Sequence, residues 1–171
     1  MQNLFLILFL ISINKLASLY ATKRSLLLNE PYKPLPDLLH DFLPVTDIKL
    51  PDYILLLLFF FHILSNEVNN IDYSKLINSL LIRPIFVIST TLPTCVPFIE
   101  NEDKSYYQLL FVNYHDLMFS GHTIFFIFFS EKYNSYVKYL IKYVCPLSLI
   151  SSRQHYTIDI FVSYLVYYFF E

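Results

Sequence analysis

The sequence predicts an all-α polytopic membrane protein with six spanning helices, and three observations carry this prediction. Of the 171 residues, 56% are hydrophobic, above the roughly 45–50% of soluble domains. Charged residues make up only 15%, against about 25% in an ordinary domain. The apolar residues also cluster into six segments separated by polar stretches. A helix that is apolar on every side is buried in protein or lipid, so these segments have no face for water.

Each apolar segment is expected to form one helix. A spanning helix needs about 20 mostly apolar residues, and most of these segments are shorter, so each alone is a weak membrane signal. Five spans, or five with a re-entrant segment, therefore remain an alternative. Tyrosines flank several segments and suit the membrane interface. In chain order the segments are 4–20, 53–64, 76–92, 119–129, 137–150 and 157–170.

The first segment is expected to be a retained span rather than a signal peptide. No basic residue lies in the three residues before it, and no small-x-small cleavage site follows it. Lysine and arginine are spread over alternate loops, so the positive-inside rule gives little orientation. By count it leans against a cytosolic N-terminus, because four basic residues lie in the first loop: Lys23, Arg24, Lys33 and Lys49.

Composition excludes several classes of protein. The single glycine argues against a glycine-rich nucleotide-binding loop. Twelve basic against 14 acidic residues give a net charge of −2, which is not that of a basic nucleic-acid binder. Cys95 and Cys145 are too few for a disulfide framework or a four-ligand zinc site. High hydrophobicity excludes disorder. We expect a single domain over residues 1–171.

Polar residues at the ends of apolar helices are costly and usually functional. One cluster, Phe119-Ser-Gly-His-Thr123, begins the fourth segment, and another, Ser152-Arg-Gln-His-Tyr-Thr-Ile-Asp159, leads into the sixth. Arg83 lies within the third. An even number of spans separates His122 from His155, so both are expected on one side of the membrane. The first polar loop, with Asp37 and Asp41, falls on that side as well.

The residue types point to phosphoryl transfer. In His155-x-x-x-Asp159 both side chains share one helix face. A carboxylate on one imidazole nitrogen leaves the other as a nucleophile. His122 could supply a proton to a leaving oxygen, and Arg83 and Arg153 could hold a phosphate. A metal site is the rival interpretation, less favoured because the two arginines would repel a cation.

These motifs resemble those of the sphingomyelin synthase family, within the wider phosphatidic acid phosphatase type 2 superfamily of membrane lipid phosphatases and phosphotransferases. The two histidine motifs are similar to the family's paired motifs. Pro34-Leu-Pro-Asp37, with Asp41, resembles the proline-rich motif before its second span. Arg83 followed by Thr90-Thr-Leu-Pro93 resembles its third-span motif. The four motifs occur in the family's order, between residues 34 and 159.

The resemblance implies a six-helix bundle of the lipid phosphatase and phosphotransferase type, with cytosolic termini and the site on the lumenal or outer face. It implies transfer of phosphocholine, or a related phospho-alcohol, from phosphatidylcholine or phosphatidylethanolamine to ceramide. Diacylglycerol is released, and no metal or other cofactor takes part. The implied location is the Golgi, the endoplasmic reticulum or the plasma membrane. No nucleic acid is expected as a partner, and a homo-oligomer is left open.

By the same resemblance, His155 is the nucleophile that forms a phosphohistidine, Asp159 orients it, and His122 handles the protons. Asp116 stands where the family has a further acidic residue. Four residues are expected to bind the phosphate: Arg83, with Arg153 as a helper, and Ser120 and Gly121 at the start of the fourth helix. Ser120 also caps that helix, and the missing side chain of Gly121 permits close approach.

The sequence departs from the family pattern ahead of Asp116, where Tyr114-His115 stand in place of the usual Cys-Gly. The choice among choline, ethanolamine and inositol head groups therefore stays open. A lipid phosphate phosphatase of the same superfamily is the first alternative function, since it shares the His-His-Asp chemistry but uses water as acceptor. A non-catalytic ceramide-binding membrane protein is the second.

Overall fold

A computed structural model of the protein describes residues 2–27, 34–64, 72–90, 92–95 and 117–170. Over these residues the regular structure is entirely helical, which confirms the all-α prediction for this part of the chain. The helices are α1 (Gln2–Leu27), α2 (Leu38–Phe42), α3 (Leu50–Leu64), α4 (Ser74–Ser89), α5 (Gly121–Ser130), α6 (Ser135–Tyr139), α7 (Cys145–Ser151) and α8 (Thr157–Phe169), with a π-helical segment, Leu140–Val144, between α6 and α7. The six predicted segments correspond to α1, α3, α4, α5, the run from α6 to α7, and α8.

Two helix boundaries differ from the predicted ones for local reasons. The first helix continues seven residues past residue 20 to Leu27, and polar residues in its last turns find partners there. Thr22 donates to the Ser18 carbonyl at 3.0 Å, and Arg24 donates to the Ile88 carbonyl at 3.0 Å. The third predicted helix ends earlier, at Ser89, because Thr90 is extended and leads toward Pro93, which has no backbone N–H to continue a helix.

Helix α5 is the centre of the bundle. Its side chains pack against α3, α4 and α8, and the core residues Phe126, Ile124 and Ile127 are fully buried. Contacts at both ends show that α3 runs parallel to α5: Asp52 meets His122 where the two helices begin, and His62 stacks near Phe129 where they end.

Of the two remaining neighbours, α8 runs parallel to α5 and α4 runs antiparallel to it. Ser163 of α8 is hydrogen-bonded to Ser120, which precedes α5. Tyr167, near the end of α8, is hydrogen-bonded to Glu131, which follows α5. Helix α4 is antiparallel, since Arg83 near its end contacts Phe119 while Tyr73 at its start stacks on Phe128. We call the end where α5 and α8 begin the site end, and the other the opposite end.

The outside of the bundle is apolar. Large hydrophobic side chains are exposed on the outward faces of several helices, including Phe5, Leu16, Leu56, Phe60 and Leu165. Apolar surface on this scale is typical of membrane contact. Among the described residues one helix, Asn3–Ser25, is long and apolar enough to cross a bilayer, and three shorter apolar helices accompany it: Leu50–Leu64, Gly121–Ser130 and Thr157–Phe169. Membrane association is supported, whereas the six-span topology stays a prediction.

Candidate active site

His155 and Asp159 form a hydrogen-bonded dyad where α8 begins. The prediction that both lie on one helix face is wrong, because α8 starts at Thr157 after an extended Tyr156 and His155 precedes it. Nδ1 of His155 lies 3.1 Å from Oδ2 of Asp159. The carboxylate is fully buried and His155 is 6% exposed. Asp159 also accepts the backbone N–H of Tyr156 at 3.0 Å and that of Met118 at 2.8 Å. With only donors around it, the carboxylate keeps the proton on Nδ1, so Nε2 carries the lone pair. Within the described residues no partner occupies Nε2.

Two residues beside the dyad have strained backbones. Met118 has φ 83° and Arg153 has φ 60°, in the left-handed region that residues other than glycine rarely occupy. Met118 directs its N–H at the Asp159 carboxylate. Arg153 turns the chain after α7, and Gln154 donates to the Leu149 carbonyl at 3.0 Å in the same turn. Such strain clusters at functional sites, where it holds groups in place.

His122 lies in the first turn of α5 and pairs with a carboxylate on another helix. Its Nε2 is 2.8 Å from Oδ1 of Asp52, in the first turn of α3. The side chain of His122 is 29% exposed and that of Asp52 is 56% exposed, so this second histidine is open to the surroundings. Asp52 is not among the site residues predicted from the sequence. Its position as an acidic residue at the start of an apolar segment was the available signal.

Hydrogen bonds through Ser120 and Ser163 join the helices that carry the two histidines. The Ser120 hydroxyl accepts the N–H of Thr123 at 3.2 Å, which confirms its predicted capping role. The Ser120 N–H donates to the Ser163 hydroxyl at 2.8 Å, and that hydroxyl donates to the Asp159 carbonyl at 2.7 Å. The start of α5 is thereby held in register with the first turns of α8.

Arg83 fills the space beside Gly121. Its Nε donates to the Phe119 carbonyl at 2.9 Å, and its Nη1 donates to Oδ1 of Asn14 at 3.1 Å. A Cβ added to Gly121 would lie 3.3 Å from Nε and 3.4 Å from Cζ of Arg83. From the sequence, this glycine is predicted to permit the close approach of a phosphate. In the structure the group that approaches it is the arginine, which Asn14 on α1 helps to position.

Arg153 is directed at backbone carbonyls of the first polar stretch. Its Nη2 donates to the carbonyls of His40 and Leu43, and its Nη1 donates to that of Ile150 at 3.3 Å. Nε2 of His40 in turn lies 3.1 Å from the carbonyl of His155. The described contacts of Arg153 therefore brace the wall of the site, and its expected help in phosphate binding stays a prediction.

Tyr156 brings the proline-rich and threonine motifs to the dyad. Its hydroxyl accepts the N–H of Leu35 at 3.0 Å and donates to the Pro93 carbonyl at 3.0 Å. Its side chain is 2% exposed. Motifs separated by more than 50 residues therefore meet next to His155. Asp116 lies outside the described residues, so its expected role is untested.

Asp37 caps two helices with one carboxylate. It accepts the N–H of Leu39 in α2 at 3.0 Å, and it accepts the Thr157 N–H at 2.7 Å and hydroxyl at 2.6 Å at the start of α8. Burial raises the pKa of Asp37, but the bonds from Thr157 and the His40 N–H outweigh it and hold the pKa below its ordinary value of 3.8. A lowered folded-state pKa stabilises the fold above the unfolded pKa, and this contribution is lost as the pH falls through the folded value.

We therefore expect Asp37→Asn to lower the thermal unfolding temperature by about 2–4 °C at pH 7, because an amide has only one oxygen to accept the Thr157 and α2 donors. The deficit should shrink as the pH is lowered below 3.8, where wild-type Asp37 becomes protonated. Circular dichroism melts of the detergent-solubilised protein measure it. Asp41→Asn, an exposed carboxylate on the same helix, is the matched control. A pH-independent deficit would contradict the ionic capping role.

One protein-family model matches part of the chain. Residues 115–170 match the family model described as PAP2 superfamily C-terminal. The match covers about a third of the chain and includes both histidines and Asp159. It supports the PAP2-like superfamily, whose members are generally phosphoryl-transfer enzymes, and with it an enzymatic role in membrane lipid chemistry. No curated protein and no solved structure matches the chain.

The site thus contains a buried His-Asp dyad and a second, more open histidine paired with Asp52. It also contains an arginine at the N-terminus of α5, where the helix dipole favours an anion. Within the described residues, no three histidine, cysteine or acidic side chains lie close enough together to hold a metal ion. The structure brings His155 to Asp159 and Arg83 to Gly121. It links Ser120 to the dyad through Ser163, and it pairs His122 with Asp52.

Proposed function

We propose that the protein is a membrane enzyme that transfers the phospho-alcohol head group of a glycerophospholipid to ceramide through a phosphohistidine. The observation that carries the chemical part is the dyad, in which buried Asp159 holds His155 with Nε2 available. The ceramide acceptor is supported by the motif set of the sphingomyelin synthase family, in particular the proline-rich and threonine motifs that meet at Tyr156.

In the first step Nε2 of His155 attacks the phosphorus of phosphatidylcholine or phosphatidylethanolamine. The bond between phosphorus and the diacylglycerol oxygen breaks, and protonated His122 gives its proton to that oxygen. Asp159 stabilises the positive charge that develops on the His155 ring. Asp52, with Oδ1 2.8 Å from Nε2 of His122, holds the orientation of the His122 ring.

In the second step the primary hydroxyl of ceramide gives its proton to His122 and attacks the phosphorus. The phosphorus–nitrogen bond to His155 breaks, and the dyad is restored. The proposed phosphate-binding group is Arg83, whose guanidinium lies at the first residue of α5, and Gly121 leaves room for it there. Ser120 and Arg153 hold the two sides of this region in place.

The proposal includes six spans with the site end at the lumenal or outer face. The opposite directions of α4 and α5, and the exposed apolar side chains on α4 and α8, support this arrangement. Golgi, endoplasmic reticulum and plasma membrane all fit it. Helix α5, with ten residues, is shorter than the roughly 20 residues that cross a bilayer, so the membrane around it would be thinned or the helix shielded by its neighbours.

A lipid phosphate phosphatase is the second candidate function, and the match to the PAP2 superfamily favours it equally. The two functions share the phosphohistidine and differ in whether ceramide or water accepts the phosphorus. The purified protein should therefore be assayed with labelled phosphatidylcholine plus ceramide, and separately with phosphatidic acid. A labelled sphingophospholipid with equal diacylglycerol establishes the transferase. Free phosphate from phosphatidic acid without a sphingolipid product establishes the phosphatase and overturns the ceramide proposal.

A further inference from the structure

Helix α1 places one buried amide side chain next to the candidate active site. Asn14 lies in the middle of this otherwise apolar helix and is 5% exposed. A buried amide is costly unless its donors and its acceptor are all hydrogen-bonded. The family match covers only residues 115–170, so it assigns no function to α1 or to this side chain.

The hydrogen bonds of Asn14 fix which way its amide faces. Nδ2 donates to the carbonyl of Leu10 at 2.8 Å and to the carbonyl of Leu80 on α4 at 2.8 Å. Oδ1 accepts from Nη1 of Arg83 at 3.1 Å. The reversed amide would set its oxygen against two carbonyls and its NH₂ group against the guanidinium, so only the observed orientation satisfies every group.

Pro84 explains why the Leu80 carbonyl is available to Asn14. In a regular α-helix this carbonyl would accept the backbone N–H four residues later. That residue is Pro84, inside α4, which has no N–H and whose ring pushes away the carbonyl four residues before it. The proline therefore provides the acceptor that orients the Asn14 amide, and it does so next to Arg83 in the chain.

The Arg83 guanidinium is held at two of its nitrogens. Asn14 accepts from Nη1, and the Phe119 carbonyl accepts from Nε at 2.9 Å. Because the guanidinium is planar and rigid, two fixed nitrogens define the plane in which the whole group lies. This plane faces Gly121 at the first residue of α5.

Packing between α1 and α4 keeps Asn14 at this level of the bundle. Ala17 and Ala21 of α1 form a buried cluster with Val87 of α4, and small side chains let two helices approach closely. Further along, Arg24 donates to the Ile88 carbonyl at 3.0 Å. The two helices thus run side by side past the site, and Asn14 cannot slide relative to Arg83.

We propose that Asn14, oriented by the carbonyl that Pro84 leaves available, is the positioning residue that sets the plane of the Arg83 guanidinium for the substrate phosphate. The inference rests on the proposed function, in which Arg83 binds that phosphate. It makes α1 a functional part of the phosphoryl-transfer site in addition to a membrane segment. Transfer to ceramide and transfer to water both need it, because both begin with the same bound phosphate.

Nuclear magnetic resonance of the full-length protein in detergent, isotope-labelled at its arginine side chains, reports the positioning directly. The arginines are Arg24, Arg83 and Arg153, and the Arg83 signals are those absent in Arg83→Gln. We expect separate signals for the two Nη groups of Arg83, because the bond to Asn14 slows their exchange by rotation. In Asn14→Leu these signals should merge.

The same variants are assayed for kcat/KM on the lipid that the wild type turns over. We expect Asn14→Leu to lower kcat/KM about 10- to 100-fold, as for loss of a hydrogen bond to a charged group. Pro84→Ala should lower it several-fold without lowering the unfolding temperature, because alanine supplies the N–H that competes with Asn14 for the Leu80 carbonyl. Asn78→Leu, the same change at a half-buried position of α4, is the matched control and should have neither effect.

A folded Asn14→Leu variant that keeps the wild-type kcat/KM and separate Arg83 signals would overturn the proposal, and so would an equal loss in Asn78→Leu. If Asn14→Leu does not fold, Pro84→Ala decides, because it leaves Asn14 and Arg83 in place. Unchanged signals and rate in Pro84→Ala would then overturn the proposal. A wild type inactive on both phosphatidylcholine and phosphatidic acid would contradict the proposed function instead, and the Arg83 signals, which need no turnover, would still test the role of Asn14.

Discussion

His155→Ala and Asp159→Asn are each expected to reduce turnover at least about a thousandfold while the protein stays folded. Alanine at 155 removes the atom that would bond to phosphorus. Asparagine at 159 removes the charge that stabilises the His155 ring, and its amide nitrogen would face a backbone donor. Both oxygens of Asp159 accept such donors, from Met118 on one side and Tyr156 on the other.

The measurement is transfer of labelled head group or release of phosphate, on protein whose folding is checked by size exclusion and circular dichroism. His62→Gln is the matched histidine control, because His62 is also buried but lies at the opposite end, 5.2 Å from Phe129 between ring centres. Substrate with labelled phosphate should leave an acid-labile phosphoprotein in the wild type and none in His155→Ala. Near-normal rates in either variant would remove that residue from its proposed role. No turnover in the wild type would favour a non-catalytic ceramide-binding protein.

Gly121→Val is expected to abolish activity and lower stability, because its side chain would occupy the place of the Arg83 guanidinium. The Cβ alone would lie 3.3 Å from Nε of Arg83, and valine adds two methyl groups beyond it. Arg83 cannot withdraw freely, since it is bonded to the Phe119 carbonyl and to Asn14 and is 5% exposed. Leaving such buried groups unpaired costs about 1–3 kcal/mol each.

Gly121→Ala should show a partial effect, several-fold in rate, because only the Cβ contact must be accommodated. Arg83→Gln provides the reference for loss of the guanidinium, and Gly121→Val should resemble it in both activity and unfolding temperature. If Gly121→Val is active while Arg83→Gln is not, then the glycine is not needed to make room for the arginine. That result would also contradict the predicted role of admitting phosphate, because valine would block that approach as well.

Hydrophobic patterning was sufficient to locate the helices. The described residues place helices at all six predicted segments, because a run of apolar side chains without a polar stripe has no other way to satisfy its backbone away from water. Patterning did not predict the short helix α2 or the π-helical turn at Leu140–Val144. The first depends on the Asp37 cap, and the second involves contacts with Tyr164 and Tyr168 on a distant helix.

The His155–Asp159 pair was predictable because its members are only four residues apart in the sequence. The pairing does not come from a shared helical turn, since α8 begins at Thr157 and Asp159 in its first turn bonds back to His155 before the helix. Asp52 beside His122, and Asn14 beside Arg83, were not predictable, since 70 and 69 positions separate them in the chain. Such contacts depend on how whole helices pack, and no local pattern encodes that packing.

The sequence by itself therefore determined the helical class, the candidate residues for phosphoryl transfer and the pairing of His155 with the nearby Asp159. The tertiary structure alone decided which group stands next to Gly121, what holds His122 and how Tyr156 gathers motifs from distant parts of the chain. The physical reason is that local geometry sets contacts within a turn. Contacts between helices follow from the packing of buried side chains around α5, to which residues from the whole chain contribute.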